Sequence, residues 1–326
     1  MKTLALSLAL AASAIALAVP SAAQEKAVDI AGIPGVVNGD AEWEAVWSGP
    51  MTADGMTVTS DGALLFAQEQ SNAIWRLQPD GKAFVEYPYV LGAGAASVAA
   101  DGSVLAVERG CTDPGLGQLG CDRPSAVVQL APEHKVIATG FADGSSLGRL
   151  NDLQADGRGG AFFTQGALYH VDAAGEVTKV TDVENFTNGV AISPDGGTLY
   201  TTDMRKVIAF DLDADGKASN RRDFAQLSRD TQGFGGDGMA VDAEGRLYVT
   251  GDAGIYVFDA EGKEVGVIPV PRRAITLAFA GKNRNQLYVG AMGATTPAGV
   301  EWQTAEGVRN VAMTIYRVSL LASGIQ

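Results

Sequence analysis

Short apolar runs alternate along the chain with polar turns that contain an acidic residue and a glycine. The runs are about five residues long and rich in β-branched and aromatic side chains, as in residues 63–67, 73–77 and 246–250. Runs of this kind, bounded by Asp-Gly or Pro-Asp-Gly turns, predict β-strands joined into hairpins. The sequence has no helical periodicity of useful length, which disfavours a parallel α/β fold. The pattern therefore predicts an all-β protein.

A longer pattern repeats over these strands: a carboxylate or amide, a glycine, a short apolar strand and then an acidic-Gly turn. Six copies can be recognised, and they begin at Asp54, Gly94, Asn151, Asn188, Asp237 and Thr276. The copy at Asn151 is shortened, and those at Gly94 and Thr276 are weaker. The turns follow one another at intervals of 40, 55, 39, 49 and 39 residues. Four strands per repeat at this period are typical of propeller blades, so the sequence predicts a six-bladed β-propeller of four-stranded antiparallel blades.

The propeller domain is predicted to span residues 41–320. A propeller must close its ring, and residues 41–48 can supply the outer strand of the last blade beside residues 313–318. Residues 24–40 are then expected to form a mobile N-terminal lead-in, and residues 321–326 a short C-terminal tail.

Residues 1–23 have the organisation of a secretory signal peptide. Lys2 supplies a positive start, residues 4–19 are apolar and uncharged, and residues 21–23 form a cleavage site of small side chains. A retained membrane anchor is the alternative, but the apolar stretch is too short and wrongly flanked for one. No later stretch is long and apolar enough to span a bilayer. The mature chain is therefore predicted to be secreted, in the periplasm.

The charge balance limits the classes of partner. The formal net charge is -14, and removal of Lys2 with the signal peptide changes it from -14 to -15. Nucleic acids and anionic membranes both require clustered Lys and Arg, so neither is an expected partner. A strongly acidic chain suits cation binding, although the same charge can simply solvate the surface.

The chain has two cysteines, Cys111 and Cys121, in a loop rich in glycine. In an oxidising compartment such a pair is most simply a disulfide. A thiolate metal site is the alternative, but no His and no third Cys lies nearby. The disulfide would stiffen a long insertion beside the pocket.

The residues that open the repeats form the candidate site. The first strand of each blade runs nearest the axis of a propeller, so Asp54, Asn151, Asn188 and Asp237 should ring the mouth of the channel. Two carboxylates and two amide oxygens are hard ligands that suit Ca²⁺ and also accept Mg²⁺ or Mn²⁺. The alternative is that they belong to ordinary turn dipeptides. That alternative accounts less well for residues that precede the strands and repeat in register.

The two histidines disfavour other kinds of site. Neither His134 nor His170 has a second His or Cys at metal-binding spacing, so a zinc site is not indicated. No Gly-x-Ser-x-Gly elbow surrounds a serine, which disfavours a Ser-His-Asp triad.

Three segments resemble the gluconolactonase/regucalcin (senescence-marker-protein) family. They are Gly-Arg-Leu-Asn-Asp at 148–152, Asn-Gly-Val-Ala-Ile-Ser-Pro-Asp at 188–195 and Gly-Asp-Gly-Met-Ala-Val-Asp-Ala-Glu-Gly at 236–245. The likeness runs from about residue 54 to residue 318. It implies a six-bladed propeller with one divalent ion in the central channel and an activity that hydrolyses sugar lactones. Ca²⁺ is the expected ion, with Mg²⁺, Mn²⁺ or Zn²⁺ as alternatives.

The resemblance also implies roles for single residues. Asp54, Asn188 and Asp237 match the family's metal ligands, although the first of these is usually Glu. Asn151 and Arg149 match positions that contact the substrate, and Asn151 is sometimes near the metal. The ion would polarise the lactone carbonyl, Asp237 would accept the proton of the attacking water, and Arg149 and Asn151 would bind the substrate or its developing oxyanion.

Glu108 and Arg109 directly precede the Cys111 loop. They are candidates for the substrate-binding rim of the pocket, and an exposed ion pair is an equal alternative.

Two other functions stay open from the sequence. The same ligands could polarise the P=O bond of a phosphotriester, as related propellers do. The chain could also be a non-catalytic periplasmic propeller that binds a partner or a small ligand, with a structural metal. The polar pair of Arg149 and Asn151 beside the expected ion favours a hydrolase acting on a small-molecule sugar lactone. The sequence specifies neither the particular lactone nor the oligomeric state.

Overall fold

The fold is known from a computed structural model that describes residues 25–113, 115–116, 121, 123–230 and 235–325. These residues form 24 β-strands, one short 3-10 turn and no α-helix. The strands make six separate four-stranded antiparallel sheets. Five sheets contain four strands that are consecutive in the chain, and the sixth combines the first strand with the last three. The predicted six-bladed β-propeller is confirmed. No helix in the described ranges is long and apolar enough to cross a membrane.

Each blade runs from an inner strand near the axis to an outer strand. Blade 1 contains β2 (Asp54–Val58), β3 (Leu64–Gln68), β4 (Ala73–Leu77) and β5 (Ala83–Pro88), with the 3-10 turn Glu69–Ser71 between β3 and β4. Blade 2 contains β6 (Ala93–Val98), β7 (Val104–Glu108), β8 (Ala126–Ala131) and β9 (Lys135–Ala138). Blade 3 contains β10 (Leu153–Ala155), β11 (Ala161–Thr164), β12 (Leu168–Val171) and β13 (Val177–Thr181). Blade 4 contains β14 (Val190–Ile192), β15 (Thr198–Asp203), β16 (Lys206–Leu212) and β17 (Ala218–Gln226). Blade 5 contains β18 (Met239–Val241), β19 (Leu247–Gly251), β20 (Gly254–Phe258) and β21 (Glu264–Ile268). Blade 6 contains β22 (Ala274–Ala280), β23 (Gln286–Met292), β24 (Met313–Ser319) and β1 (Glu44–Gly49).

Blade 6 joins the two ends of the chain and so closes the ring. Strand β1 pairs antiparallel with β24, with Ser48 opposite Thr314 and Glu44 opposite Arg317. The hydroxyl groups of Ser48 and Thr314 lie 3.1 Å apart, and Arg317 binds Glu44 through an ion pair of 2.6 Å. The predicted pairing of the N-terminal strand with the last repeat is therefore confirmed.

The lead-in differs from its prediction. The sequence predicts mobility over residues 24–40, but residues 25–40 pack against blades 5 and 6. Ile30, Ile33, Val36 and Val37 are buried in one cluster with side chains of those blades. The backbone carbonyl of Val36 accepts a hydrogen bond of 2.8 Å from the N–H group of Leu321, in the predicted tail. Burial of these four apolar side chains, each worth about 1.5–3 kcal/mol, explains why the segment is held.

The core lies between neighbouring blades. One cluster combines Leu105 and Val107 of blade 2 with Leu153 and Phe163 of blade 3, and similar clusters join other blade pairs. Alternate residues of each strand face opposite sides of its sheet, so both faces of every blade contribute to such a cluster. This packing fixes where each inner strand begins.

The glycines of the repeated pattern are explained by close contact between inner strands. A Cβ atom on Gly55 would lie 2.2 Å from Cα of Ala95 in the next blade. A Cβ atom on Gly189 would lie 2.1 Å from the carbonyl oxygen of Asp237. A Cβ atom on Gly238 would lie 2.8 Å from Cα of Thr276 in blade 6. The inner strands thus approach too closely around the axis for a side chain at these positions.

A disulfide joins Cys111 and Cys121 between β7 and β8, as the sequence predicts, with a Cα–Cα distance of 5.1 Å. The described part of this loop is anchored to blade 1, because the side-chain amide of Gln70 donates to the carbonyl of Asp113 at 3.1 Å. It also contacts the long loop of blade 6, where Arg309 forms an ion pair of 2.7 Å with Asp113. Two insertions therefore meet above blade 1.

Candidate functional site

The four residues that open the repeats lie at the same end of the inner strands. Asp54 is the first residue of β2, whereas Asn151, Asn188 and Asp237 each lie two residues before their strand. The side-chain amide of Asn151 donates a hydrogen bond of 2.6 Å to Oδ1 of Asn188. The charge of Asp54 acts directly on the carboxyl group of Asp237. All four predicted ring residues therefore stand at the start of inner strands, and Asn151 contacts Asn188 directly.

Three carboxyl groups crowd this mouth. Burial raises the pKa of Asp54. The pKa of Asp152 is raised to about 8, first by burial and then by the negative charge of Asp54. The pKa of Asp237 is raised well above its ordinary value by burial and by the charges of Asp54 and Asp152. Burial and mutual repulsion therefore disfavour the ionised forms of these carboxyl groups, and a bound cation would stabilise them.

Buried threonines on the second strands hold the backbone of the ring residues. Oγ1 of Thr202 accepts a hydrogen bond of 2.9 Å from the N–H group of Asn188. The hydroxyl of Thr164 donates to the carbonyl of Asn188 at 2.6 Å. Oγ1 of Thr250 accepts from the N–H group of Asp237 at 3.3 Å. Such support fixes the direction in which each polar side chain leaves its strand.

Two arginines share one buried glutamate beside the ring. Nη1 of Arg109 donates to Glu69 at 2.6 Å, and Nη2 donates to Oδ1 of Asn151 at 3.0 Å. Nε of Arg109 donates to the carbonyl of Leu150 at 2.9 Å. Nη2 of Arg149 donates to both carboxylate oxygens of Glu69, at 2.8 and 2.9 Å. A continuous network therefore runs from Glu69 through Arg109 to Asn151 and the ring.

The two predicted rim residues have different places. Arg109 is buried within this network, so it is not part of an exposed ion pair. Glu108 is the preceding residue of β7, and successive side chains of a strand point to opposite faces. Burial raises the pKa of Glu108, and the charged groups that act on it are His134 and Arg123. The structure does not bring Glu108 to the ring.

Glu69 and Asp152 were missed at the sequence level. Asp152 occupies the position at which the three full copies of the repeat have glycine, and that exception was the available signal. Glu69 follows the end of β3 in a 3-10 turn. Only the fold shows that it faces arginines from two other blades.

A narrow polar cavity of about 40 Å³ continues down the channel beyond the ring. Asp152, Ser97, Gln154 and Thr276 are among its lining residues. This volume holds a few water molecules.

The donor set at the mouth fits a hard cation. Across the residues that the structure describes, no three side chains of His, Cys, Asp or Glu form a metal-binding group. The candidate ligands are instead the carboxylates of Asp54 and Asp237 together with the amide oxygen of Asn188, which are groups that bind Ca²⁺ or Mg²⁺. Oδ1 of Asn151 already accepts from Arg109 and Oδ1 of Asn188 from Asn151, so each amide oxygen has one acceptor position left.

Fold and site together define a class of protein: a six-bladed β-propeller whose axial mouth carries a mixed ring of carboxylates and amides. The chain belongs to the SMP-30/gluconolactonase/LRE-like family, whose model matches residues 91–293. This confirms the family resemblance found in the sequence.

Curated relatives match a shorter part of the chain. Regucalcin of Xenopus laevis is 35% identical over 132 residues, which cover 38% of this chain and 44% of regucalcin. A lactonohydrolase of Aspergillus oryzae is 29% identical over 161 residues, which cover 41% of this chain and 34% of that enzyme. The match thus spans less than half the length of these relatives.

Solved structures share the fold over nearly the whole chain. A gluconolactonase from Xanthomonas campestris has a TM-score of 0.69 at 20% identity and covers 94% of this chain and 99% of its own. A calcium-binding regucalcin from Agrobacterium tumefaciens has a TM-score of 0.63 at 20% identity and covers 87% of this chain and 95% of its own. These similarities establish a common architecture.

Proposed function

We propose that this protein is a hydrolase that opens sugar lactones with the help of one divalent cation at the channel mouth. Family membership supports lactone hydrolysis, and relatives named gluconolactonase and lactonohydrolase support a sugar-derived substrate. The observation that carries the proposal is the meeting of Asp54, Asn188 and Asp237 at the mouth, beside the network that holds Arg149.

Asp54, Asn188 and Asp237 are the residues that would hold the cation. Ca²⁺ is the expected ion, because the ligands are hard oxygen donors and a structural neighbour is named as calcium-binding. Mg²⁺, Mn²⁺ or Zn²⁺ are alternatives. A cation bound there would supply Lewis acidity toward the substrate carbonyl.

The chain's own groups would bind the substrate and move the proton. The carboxylate oxygens of Asp237 accept no hydrogen bond from the described residues, so they can accept one from a water molecule and then its proton. Nη1 of Arg149 is buried and has no hydrogen-bond partner in the described part of the chain. A substrate oxygen that reached this nitrogen would satisfy it, so we propose Arg149 as a substrate-binding residue together with Asn151.

The test is an acid-release assay on a panel of sugar lactones and a phosphotriester, before and after removal of the cation. We expect lactone hydrolysis that disappears when a chelator strips the ion and returns when Ca²⁺ is added. Hydrolysis by protein shown to be free of metal would contradict the proposal. Turnover of the phosphotriester alone would favour the second substrate class, and no turnover with metal bound would indicate a binding propeller.

We also propose export to the periplasm, on the basis of the signal peptide that the sequence predicts. Residues 1–23 lie outside the described residues. The disulfide of Cys111 and Cys121 supports an oxidising compartment. Mass spectrometry of the mature N-terminus in a periplasmic extract would test this proposal, and a retained Met1 would contradict it.

A further inference from the structure

A buried glutamate with all of its hydrogen-bonding positions in use lies beside the proposed substrate site. Glu69 is 3% exposed. Its Oε1 accepts from Arg149 and from the N–H group of Asp113, and its Oε2 accepts from Arg109 and Arg149, all within 2.6 to 2.9 Å. An ionised carboxylate has about four acceptor sites, so this one is saturated. A buried carboxylate of this kind is tolerated because two guanidinium groups pair with it and both of its oxygens accept hydrogen bonds.

Each arginine that Glu69 holds makes a different contact. Arg109 turns its second nitrogen to Oδ1 of Asn151. Because that oxygen is occupied, the NH₂ group of Asn151 is the end that faces Asn188. Arg109 thereby determines the orientation of two amides at the mouth.

The two terminal nitrogens of Arg149 differ in their hydrogen bonding. Both hydrogen bonds from its Nη2 go to Glu69, whereas its buried Nη1 has no partner among the described residues. An unsatisfied buried donor costs roughly 1–3 kcal/mol, and a ligand oxygen would remove that cost. Without an anchor the guanidinium could rotate to satisfy this nitrogen elsewhere.

We propose that Glu69 is a positioning residue for the hydrolytic site. It fixes the guanidinium of Arg149 beside the ring residues, and it orients Asn151 and Asn188 through Arg109. Its kinetic consequences rest on the proposed lactone hydrolysis, but its effect on the two arginines does not. The residue acts through others and need not touch the substrate itself.

The test compares Glu69→Gln with Glu301→Gln. Glu301 is a matched control because it also accepts two hydrogen bonds from a buried guanidinium, that of Arg272, at 2.6 and 3.0 Å. No hydrogen bond connects it to the ring residues in the described structure. Glu69→Gln should lower kcat/KM roughly 10–100-fold, chiefly through KM, and Glu301→Gln should leave it unchanged. Glu69→Asp should retain part of the activity.

A double-mutant cycle tests whether Glu69 acts through Arg149. In an Arg149→Lys background, Glu69→Gln should cost less than it does in the natural sequence, because one of the two arginines that Glu69 positions is already gone and only the path through Arg109 remains. Fully additive losses would overturn the proposal, and so would Glu69→Gln with natural kinetics.

A second measurement needs no substrate. Arginine side-chain ¹⁵N NMR should give well-resolved guanidinium signals for Arg109 and Arg149, and Glu69→Gln should shift or broaden both. Glu301→Gln should leave them in place. Unchanged signals in Glu69→Gln would overturn the proposal even if no lactone were hydrolysed, whereas altered signals without lactone hydrolysis would sustain it and refute only the proposed function.

Discussion

At the scale of single residues, Asp237 combines two proposed roles. It is one of three candidate cation ligands and the proposed acceptor of the water proton. Asp237→Ala should therefore lower kcat/KM for lactones at least about 100-fold and weaken metal retention. Stability of the metal-free protein should not fall, because burial and the charges of Asp54 and Asp152 raise the pKa of this carboxyl group. Ionised Asp237 is thus a repelled charge, and its loss relieves that repulsion.

The measurements for Asp237→Ala are steady-state kinetics, metal content and thermal unfolding. Asp195→Ala is the control, because Asp195 lies in an exposed turn at the other end of the blade and, among the described residues, accepts hydrogen bonds from Ser193 and Gly197. Natural activity with bound metal in Asp237→Ala would remove Asp237 from the mechanism.

Sequence spacing predicts some residues of the site and misses others for a physical reason. Asp54, Asn188 and Asp237 could be found because each stands at a fixed distance from a turn in its own blade. Glu69 could not be found this way, because its partners Arg109 and Arg149 belong to blades 2 and 3. Contacts between blades depend on the ring geometry, which no local pattern records.

At the scale of elements, the inner strands depend on glycine. Gly189 belongs to the segment that opens β14, and a Cβ atom there would lie 2.1 Å from the carbonyl oxygen of Asp237. Gly189→Ala should destabilise the protein by about 1–3 kcal/mol through overpacking. It should also lower lactone turnover, because it displaces the backbone of Asp237.

Gly197→Ala in the same blade is the control for Gly189→Ala. A Cβ atom on Gly197 would remain at least 3.4 Å from its neighbours, in ordinary contact. Urea denaturation of both variants measures the difference. Equal stabilities would mean that the inner strands can move apart, against the packing described above.

The disulfide loop is a second element with a separable effect. Cys111 and Cys121 are 10 residues apart in the chain. Loss of a cross-link over a loop of this size costs roughly 2–3 kcal/mol in the chain-entropy account. Cys111→Ser with Cys121→Ser should therefore lower the free energy of unfolding by about this amount, measured by denaturation. Reductant should lower the denaturation midpoint of the natural protein by a similar amount and leave that of the double variant unchanged. Equal midpoints in all samples would contradict the prediction.

The sequence predicts the blade strands but not the packing of the N-terminal lead-in. The blade strands follow from local alternation of apolar runs and acidic-Gly turns, so their order and number could be predicted. The lead-in could not, because Gly and Pro at positions 32, 34 and 35 interrupt the spacing of Ile30, Ile33, Val36 and Val37 and predict neither a strand nor a helix. They are buried only because blades 5 and 6 offer a surface that forms elsewhere in the chain.

At the scale of the whole molecule, the ring is closed by hydrogen bonds between β1 and β24 and not by a covalent link. The chain between these strands must be ordered before they can meet, and this long-range pairing is entropically costly. The seam is therefore where an added constraint on the unfolded chain should stabilise the most.

Ser48 and Thr314 are the sites for such a constraint. They face each other across the seam with their hydroxyl groups 3.1 Å apart. Ser48→Cys with Thr314→Cys should form a disulfide that closes the ring and raises the free energy of unfolding by roughly 2–5 kcal/mol, because the closed loop is very long. Denaturation of the oxidised variant measures this gain, and peptide mapping confirms that the native Cys111–Cys121 pair is kept. Two controls measure the effect of losing the hydroxyl contact: the same variant after selective reduction, and Ser48→Ala with Thr314→Ala. An oxidised variant no more stable than its reduced form would contradict the prediction, since the cross-link would then strain the native seam by as much free energy as it removes from the unfolded chain.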